Sequence, residues 1–464
     1  MVSIRSLTQP LSPIASYLPI RRGHDSLMSS APAIMWFRRD LRLHDNPALL
    51  AASDAADGDG VLPLFIWDDR LWEPAGPARR AWMCVSLRAL DESLNGHLVV
   101  RRGKPAEVLA DLAKQTGATS VHIAQDFGPY GMKRDDRVRE ALAEIDVSLE
   151  ATGSPYATDP GTILTKQGTG YKVFSPFGRA WSQHGYEDAY PRIGTRQTWL
   201  DVDSEDFPTC DDAPPELDLG TVGEEAARRK WRDFLDRLDG YDEDRDRMDR
   251  NGTSGMSPHL RWGEIHPRTI LTDLKGMHDK HAQSFRSEIG WREFYADVLW
   301  REPRVVKESW RTEFEQMEWD SPDSDLVEAW KKGETGFAMV DAGMRELLAT
   351  GTMHNRVRML CASFLVKDLH VDWRVGAKYF YDHLVDGDLA SNYLNWQWAA
   401  GSGTDAQPFF RIFNPDTQGD KFDPDETYRR RWIPEYGTDD YPERIVDHKE
   451  ERKEALDRLS AITS

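Results

Sequence analysis

The chain is poor in cysteine, has no long apolar run and lacks a glycine-rich dinucleotide fingerprint. Each absence narrows its chemistry. Three cysteines stand in 464 residues: Cys84, Cys210 and Cys361. They lie far apart and form no CxxC pair, which argues against a disulfide framework and against a metal or iron–sulfur site. A reducing, cytoplasmic setting is therefore expected. No apolar stretch is long enough to span a bilayer, so no membrane partner is expected. The motif GxGxxG is missing, which argues against an ordinary dinucleotide-binding fold.

Acid exceeds base, 79 Asp and Glu against 59 Lys and Arg, for a net charge of −20. Spread evenly, that charge would repel nucleic acid. It is concentrated instead: residues 201–250 hold 18 acidic and 8 basic side chains, half of the excess. Residues 351–380 hold 5 basic and 2 acidic ones, so a local basic face for DNA is compatible with the acidic total. The first 31 residues carry Arg5, Arg21 and Arg22 with one acid, Asp25. They read as a disordered tail, with a transit peptide or an early start codon as alternatives, since Met28 and Met35 both lie close to the first strand.

A chain of this length holds two or more domains. From Ala33 to about residue 150, short apolar runs (AIMWF, VLPLFIW, HLVV, SVHIA) alternate with helical stretches such as PARRAWMCVSLRALDESL. That alternation predicts an α/β domain over 32–150, a doubly wound parallel sheet covered on both faces. Residues 151–225, rich in Gly, Pro, Ser, Thr and Asp, read as a connector with only local structure. From about Glu224 helical periodicity takes over, and 226–464 is expected to be an all-α domain. Ten of the 17 tryptophans lie between Trp262 and Trp432.

The densest signal lies between Asp341 and Pro415, which includes DAGMRELLATGTMHNRVRMLCASFLVKDL and DGDLASNYLNWQWAAGSGTDAQPFFRIFNP. Two tryptophans, a carboxylate pair and an Asn-Arg-x-Arg-Met segment sit on helices otherwise built from Leu, Phe, Val and Ala. Polar groups at that density are costly unless something binds them. Upstream, NGTSGMS (Asn251–Ser257) precedes a helical run, where backbone N–H groups and hydroxyls suit a phosphate but also suit simple capping. Trp396 and Trp398 are two apart, which on a helix turns them about 200° from one another. Glu288 and Trp291 are three apart and Asn355 and Met359 four apart, each pair sharing a helix face or reading as plain amphipathic packing.

These segments, with FRRDLRLHDNPAL at Phe37–Leu49, resemble DNA photolyases and cryptochromes, and nearest among them the class I cyclobutane pyrimidine dimer photolyases. The resemblance runs from Ala33 to about Ala461. It implies a flavin adenine dinucleotide (FAD) pocket held by Tyr241, Thr253, Ser254, Met256, Ser257, Arg292, Arg358, Asp386, Asp388 and Asn392. Arg358 would pair with Asp386 beside the isoalloxazine, and Asn392 would face flavin N5, where an amide can donate and accept. Trp396, Trp373 and Trp319 match the family's electron chain from flavin to surface; the alternative is ordinary aromatic core.

A flipped pyrimidine pair in damaged DNA would meet Trp291, Trp398, Glu288, Asn355 and Met359, with Arg245, Arg356 and Arg411 on its phosphates. In the (6-4) photolyases histidines take the places of Asn355 and Met359, so the pair points to cyclobutane dimers. Gly255, Thr352 and Phe285 depart from the familiar bacterial pattern, where Arg, an aromatic residue and Trp occur. In the first domain Gln125–Arg134 follows a strand near where family antennae bind, and a deazaflavin is favoured there over a folate or a second flavin. The implied activity is light-driven electron transfer from reduced FAD to the dimer and back, by a monomer. The rival is a cryptochrome-type photoreceptor without repair. The short segment after the last helical run argues for repair over signalling through a tail.

Overall fold

The computed structural model describes residues 31–463 except 195, 196, 216 and 407. The expected tail over 1–31 lies, but for its last residue, outside the described residues.

Five parallel strands form one sheet in the order β3-β2-β1-β4-β5: β1 Ala33–Phe37, β2 Val61–Trp67, β3 Val99–Arg102, β4 Ser120–Ile123 and β5 Ser148–Ala151. Strand β1 is central and wholly buried. Its side chains alternate between two cores, as a period of two requires. Ala33, Met35 and Phe37 pack on one face and Ile34 and Trp36 on the other. The helices Pro47–Ala56, Pro77–Ser93, Pro105–Thr116 and Pro129–Ala143 each begin with proline, whose missing N–H costs nothing in a first turn. Strand β5, reading SLEA, has a mostly exposed pattern and so lacks the apolar run that marks the other four.

From Glu224 onward the described elements are helical. The long helix Lys280–Arg301 is started by Asp279, whose side chain accepts from the backbone N–H of His281 and Ala282. It packs with Leu389–Ala400, which in turn touches Trp373–His383 and Asn355–Lys367. The connector holds more than local structure. Its helix Phe174–His184 buries Phe177 and Trp181 against the long helix, which covers an apolar surface that would otherwise face water. Among the described residues no helix is long and apolar enough to cross a membrane.

The cysteine expectation is corrected. Cys84, on the helix Pro77–Ser93, forms a disulfide with Cys210 of the connector, with Cα atoms 6.8 Å apart. A separation of 126 residues hides the pairing, because the connector folds back over the first domain. Spacing motifs detect only cysteines that are close in sequence. The compartment argument drawn from free cysteines falls with it. Cys361 is buried and unpaired.

The FRRDLRLHDN segment locks the domains together. Leu43 N–H, His44 N–H and His44 Nδ1 all meet the Glu224 carboxylate, at 2.7, 2.9 and 2.6 Å. Asp45 pairs with Arg268 at 2.9 Å. The Arg42 guanidinium donates to the Gly263 carbonyl at 3.0 Å. Gly263 ends the helix Ser257–Trp262 at φ 69°, and a Cβ there would lie 1.9 Å from the Arg39 carbonyl oxygen. Only glycine permits both the left-handed turn and that approach.

Candidate active site

A cavity of about 1180 Å³ opens between the helices of the second domain. Its floor is built from two carboxylates that the Asp-Gly-Asp turn sets side by side. Asp386 is buried and takes both Arg358 nitrogens, at 3.2 and 2.9 Å, while the Ser257 hydroxyl donates to it from the opposite wall. Arg358 is itself fixed by a 2.7 Å bond from Nε to the Met353 carbonyl. Asp388 caps the helix Leu389–Ala400, accepting from Ser391 N–H at 3.0 Å. Its other oxygen accepts from Arg39 of the first domain at 2.8 Å. Burial opposes its ionisation, but Arg39, Arg261 and Arg292 overcome that and hold the carboxyl at about 2.

Asn392 stands one turn beyond Asp388. Its amide nitrogen donates to the Ala377 carbonyl at 2.8 Å, and its oxygen makes no hydrogen bond among the described residues. His354 caps the helix Asn355–Lys367 through Nδ1. Burial pushes its pKa down to about 4, against the opposing pull of Asp246 and the Arg245 backbone. A free amide oxygen on the cavity lining is unfilled hydrogen-bonding capacity. With the Thr253 and Ser254 hydroxyls and the backbone of Met256 also on the wall, the donor and acceptor set fits a large polar cofactor. Tyr241 and Arg292 complete the predicted cofactor residues on the lining.

The tryptophans separate by position. Trp396 lines the cavity and is buried, edge-on to Phe380 at 4.9 Å and to Trp330 at 6.3 Å. Its ring rests on Gly376, where a Cβ would lie 2.1 Å from the indole. Trp373, on the same helix as Gly376, is fully buried away from the cavity and donates to the Ser309 hydroxyl at 3.2 Å. Trp319 is half-buried against the same core. Trp398 also lines the cavity and is half-buried.

At the rim the remaining side chains meet. Trp291 stacks on Phe174 of the connector helix, 3.9 Å between centroids and 14° between planes. Glu288 pairs with Arg245 at 2.7 Å. Asn355 and Met359 both line the cavity, the amide lying 3.9 Å from the thioether sulfur. Arg356 is turned to Asp246 at 2.5 Å and over the Phe422 ring, off the lining. Arg411 is exposed and also lies off the lining; its carbonyl accepts from the buried Lys367 at 3.1 Å. Sequence reasoning passed over Arg39, Arg261 and His354. The first two stand in segments already singled out, FRRD and the PHLRW run after NGTSGMS, but nothing local says that they converge on Asp388.

Comparison with known proteins matches both halves of the chain. Residues 33–194 fit the family model for DNA photolyase, and 285–438 that for the FAD-binding domain of DNA photolyase. The deoxyribodipyrimidine photo-lyase of Agrobacterium fabrum is 39% identical, over 94% of this chain and 99% of its own. The crystal structure of a bacterial class III photolyase from Agrobacterium tumefaciens superposes with a TM-score of 0.88 at 38% identity, over 94% of this chain and 99% of that one. The crystal structure of a Synechocystis cryptochrome follows with a TM-score of 0.83 at 26% identity, over 93% and 100%. With both domains matched and a relative aligned over nearly its full length, the chain belongs to the DNA photolyase family.

Proposed function

We propose that the protein repairs cyclobutane pyrimidine dimers in DNA, using FAD and light. The observation that carries this reading is one cavity with two ends. Its floor offers Asp386, Asp388 and Asn392 to a flavin, and its rim offers Trp291, Trp398, Glu288, Asn355 and Met359 to a flipped pyrimidine dimer. Bound at this floor, reduced FAD would supply light-driven one-electron chemistry, with the electron lent to the dimer and returned once its ring has opened. The chain does the rest by position. Arg358 and Asp386 form one fixed wall, and Asn392 presents an amide that tolerates several protonation states. Trp291 and Trp398 offer apolar faces to bases taken out of the stack, and Glu288 and Asn355 offer hydrogen bonds to base edges. Trp396 stands nearest the cavity as the electron donor for photoreduction, with Trp373 and Trp319 behind it as the route to the surface. Arg245, Arg356 and Arg411 are the proposed phosphate contacts.

Within the family we place the protein nearest the class I cyclobutane enzymes, on Asn355 and Met359; the class III description of the Agrobacterium structure is the competing placement. A deazaflavin antenna in the first domain of a monomer completes the proposal. The test is to illuminate fully reduced protein with DNA carrying either cyclobutane or (6-4) lesions. Repair of the first alone is expected. Efficient (6-4) repair defeats the lesion assignment, and repair of neither favours the cryptochrome reading that the Synechocystis likeness keeps in view.

A further inference from the structure

Two cations on the cavity lining make no hydrogen bond or ion pair among the described residues: Arg431, which lies over the Trp432 ring, and a lysine beside the Asn251–Ser257 loop. Arg245, Arg250 and Arg358 line it with carboxylate partners: Glu288, Asp244 and Asp386. Lys230 also lines it, yet makes no hydrogen bond or ion pair among the described residues. The nearest acid acting on its charge is Glu264. That carboxylate is buried and already taken by Trp82 Nε1, the Ser86 hydroxyl and His259 Nδ1. Partial burial at the cavity wall pulls the Lys230 pKa down.

The position of Lys230 is set by its helix, Glu224–Leu235. Ala226 and Ala227 lie one turn before it and Phe234 one turn after, all buried, so Lys230 stands at the margin of the packed stripe. From there its side chain reaches over the Asn251–Ser257 loop. A Cβ added to Gly255 would lie 2.8 Å from Lys230 Cε and 2.9 Å from Nζ. The absence of a side chain at Gly255 is thus what gives the ammonium its seat on the loop. The loop itself brings only neutral donors, the hydroxyls of Thr253 and Ser254, the Asn251 amide and its backbone amides, since the Ser257 hydroxyl is taken by Asp386. Neutral donors can orient a diphosphate, but two negative charges taken out of water call for a cation.

We propose that Lys230 is the counter-ion of the FAD diphosphate, seated over Gly255. This rests on the FAD reading and names a residue for it. Lys230 and its loop fall in the stretch between the two matched family models, 195–284, so neither match assigns it.

The test strips flavin from full-length protein and titrates it back, following flavin fluorescence, with FAD and with riboflavin, which has no phosphate. Lys230→Met is expected to weaken FAD binding roughly tenfold, the scale of one charge-assisted hydrogen bond. Riboflavin affinity should stay unchanged, FAD binding should depend less on salt, and Lys230→Arg should restore most of the loss. Lys230 is exposed toward the cavity, so the exchange leaves no hole in the core. Equal FAD affinity in Lys230→Met and the unaltered protein would overturn the proposal while leaving the FAD reading intact, as would an equal loss for FAD and riboflavin. An unaltered protein that takes up no FAD would overturn both.

Discussion

The floor and the rim of the cavity hold opposite charges in contact by opposite means. On the floor, Asp386 and Asp388 have side chains 3% and 15% exposed, each tied to arginine and to a further donor. At the rim, Glu288 and Asp246 are 36% and 41% exposed, and each meets one arginine with no further donor to its carboxylate among the described residues. Removing one partner of a buried pair strands the other charge and costs about 3–5 kcal/mol. An exposed pair is worth about 0–1 kcal/mol. The floor is therefore built to stay as it is, and the rim is built to exchange carboxylates for other anions at little cost. A DNA phosphate is such an anion.

Breaking the floor should have the largest effect. Asp388→Ala strands Arg39, Arg261 and Arg292, and the expected cost is about 3–5 kcal/mol in urea unfolding, with flavin lost on purification. Near-stoichiometric flavin in that variant would show that Asp388 is not what retains it. Next, Trp396→Phe should abolish rapid photoreduction of oxidised flavin and leave repair by chemically pre-reduced protein largely intact, measured by transient absorption and by dimer repair. Normal photoreduction would make Trp396 ordinary core.

Acid should separate the regions by pH. The folded His354 value of about 4 lies below the usual one near 6.5, so its contribution is complete above about 6.5 and lost as pH falls toward 4. The folded Asp388 value of about 2 lies below the usual one near 3.9, so its contribution is complete above about 4 and lost as pH falls toward 2. His354→Gln should flatten the first window only, and Asp388→Asn the second only, in stability followed against pH. Either variant flattening both would mean that the two groups titrate as one unit. The smallest effect is expected at the rim. Asp246→Asn should tighten damaged-DNA binding by a few-fold at low salt, corresponding to about 1 kcal/mol or less. Weaker binding would show that Asp246 positions Arg356 and does not compete with DNA for it.

What could be read in advance follows the range of the physical signal. Periodic apolar runs are local, and β1, β2 and β4 appear where AIMWF, VLPLFIW and SVHIA stand, while HLVV lies slightly ahead of β3. SLEA at β5 carries no such run, because an edge strand need not bury both faces. The connector helix Phe174–His184 was hidden by the Gly and Pro around it, although its Phe and Trp spacing is helical. Within the site, the Arg358–Asp386 pair was expected from resemblance and is present as a bidentate contact. Pairings between distant segments carry no local mark, as Cys84–Cys210 and Arg39–Asp388 illustrate. The solitude of Lys230 is likewise visible only once its neighbours are in place.

The contact from Arg39 to Asp388 spans 349 positions of sequence and joins a loop of the sheet domain to the cap of a cavity helix. Its consequence is for heredity. A recombination event that exchanged one domain for that of a distant relative would pass on Asp388 without Arg39, one of the three arginines that hold its charge, unless both partners travelled together. The two domains are separate in architecture, yet selection must treat FRRD and the Asp-Gly-Asp turn as a single inherited unit.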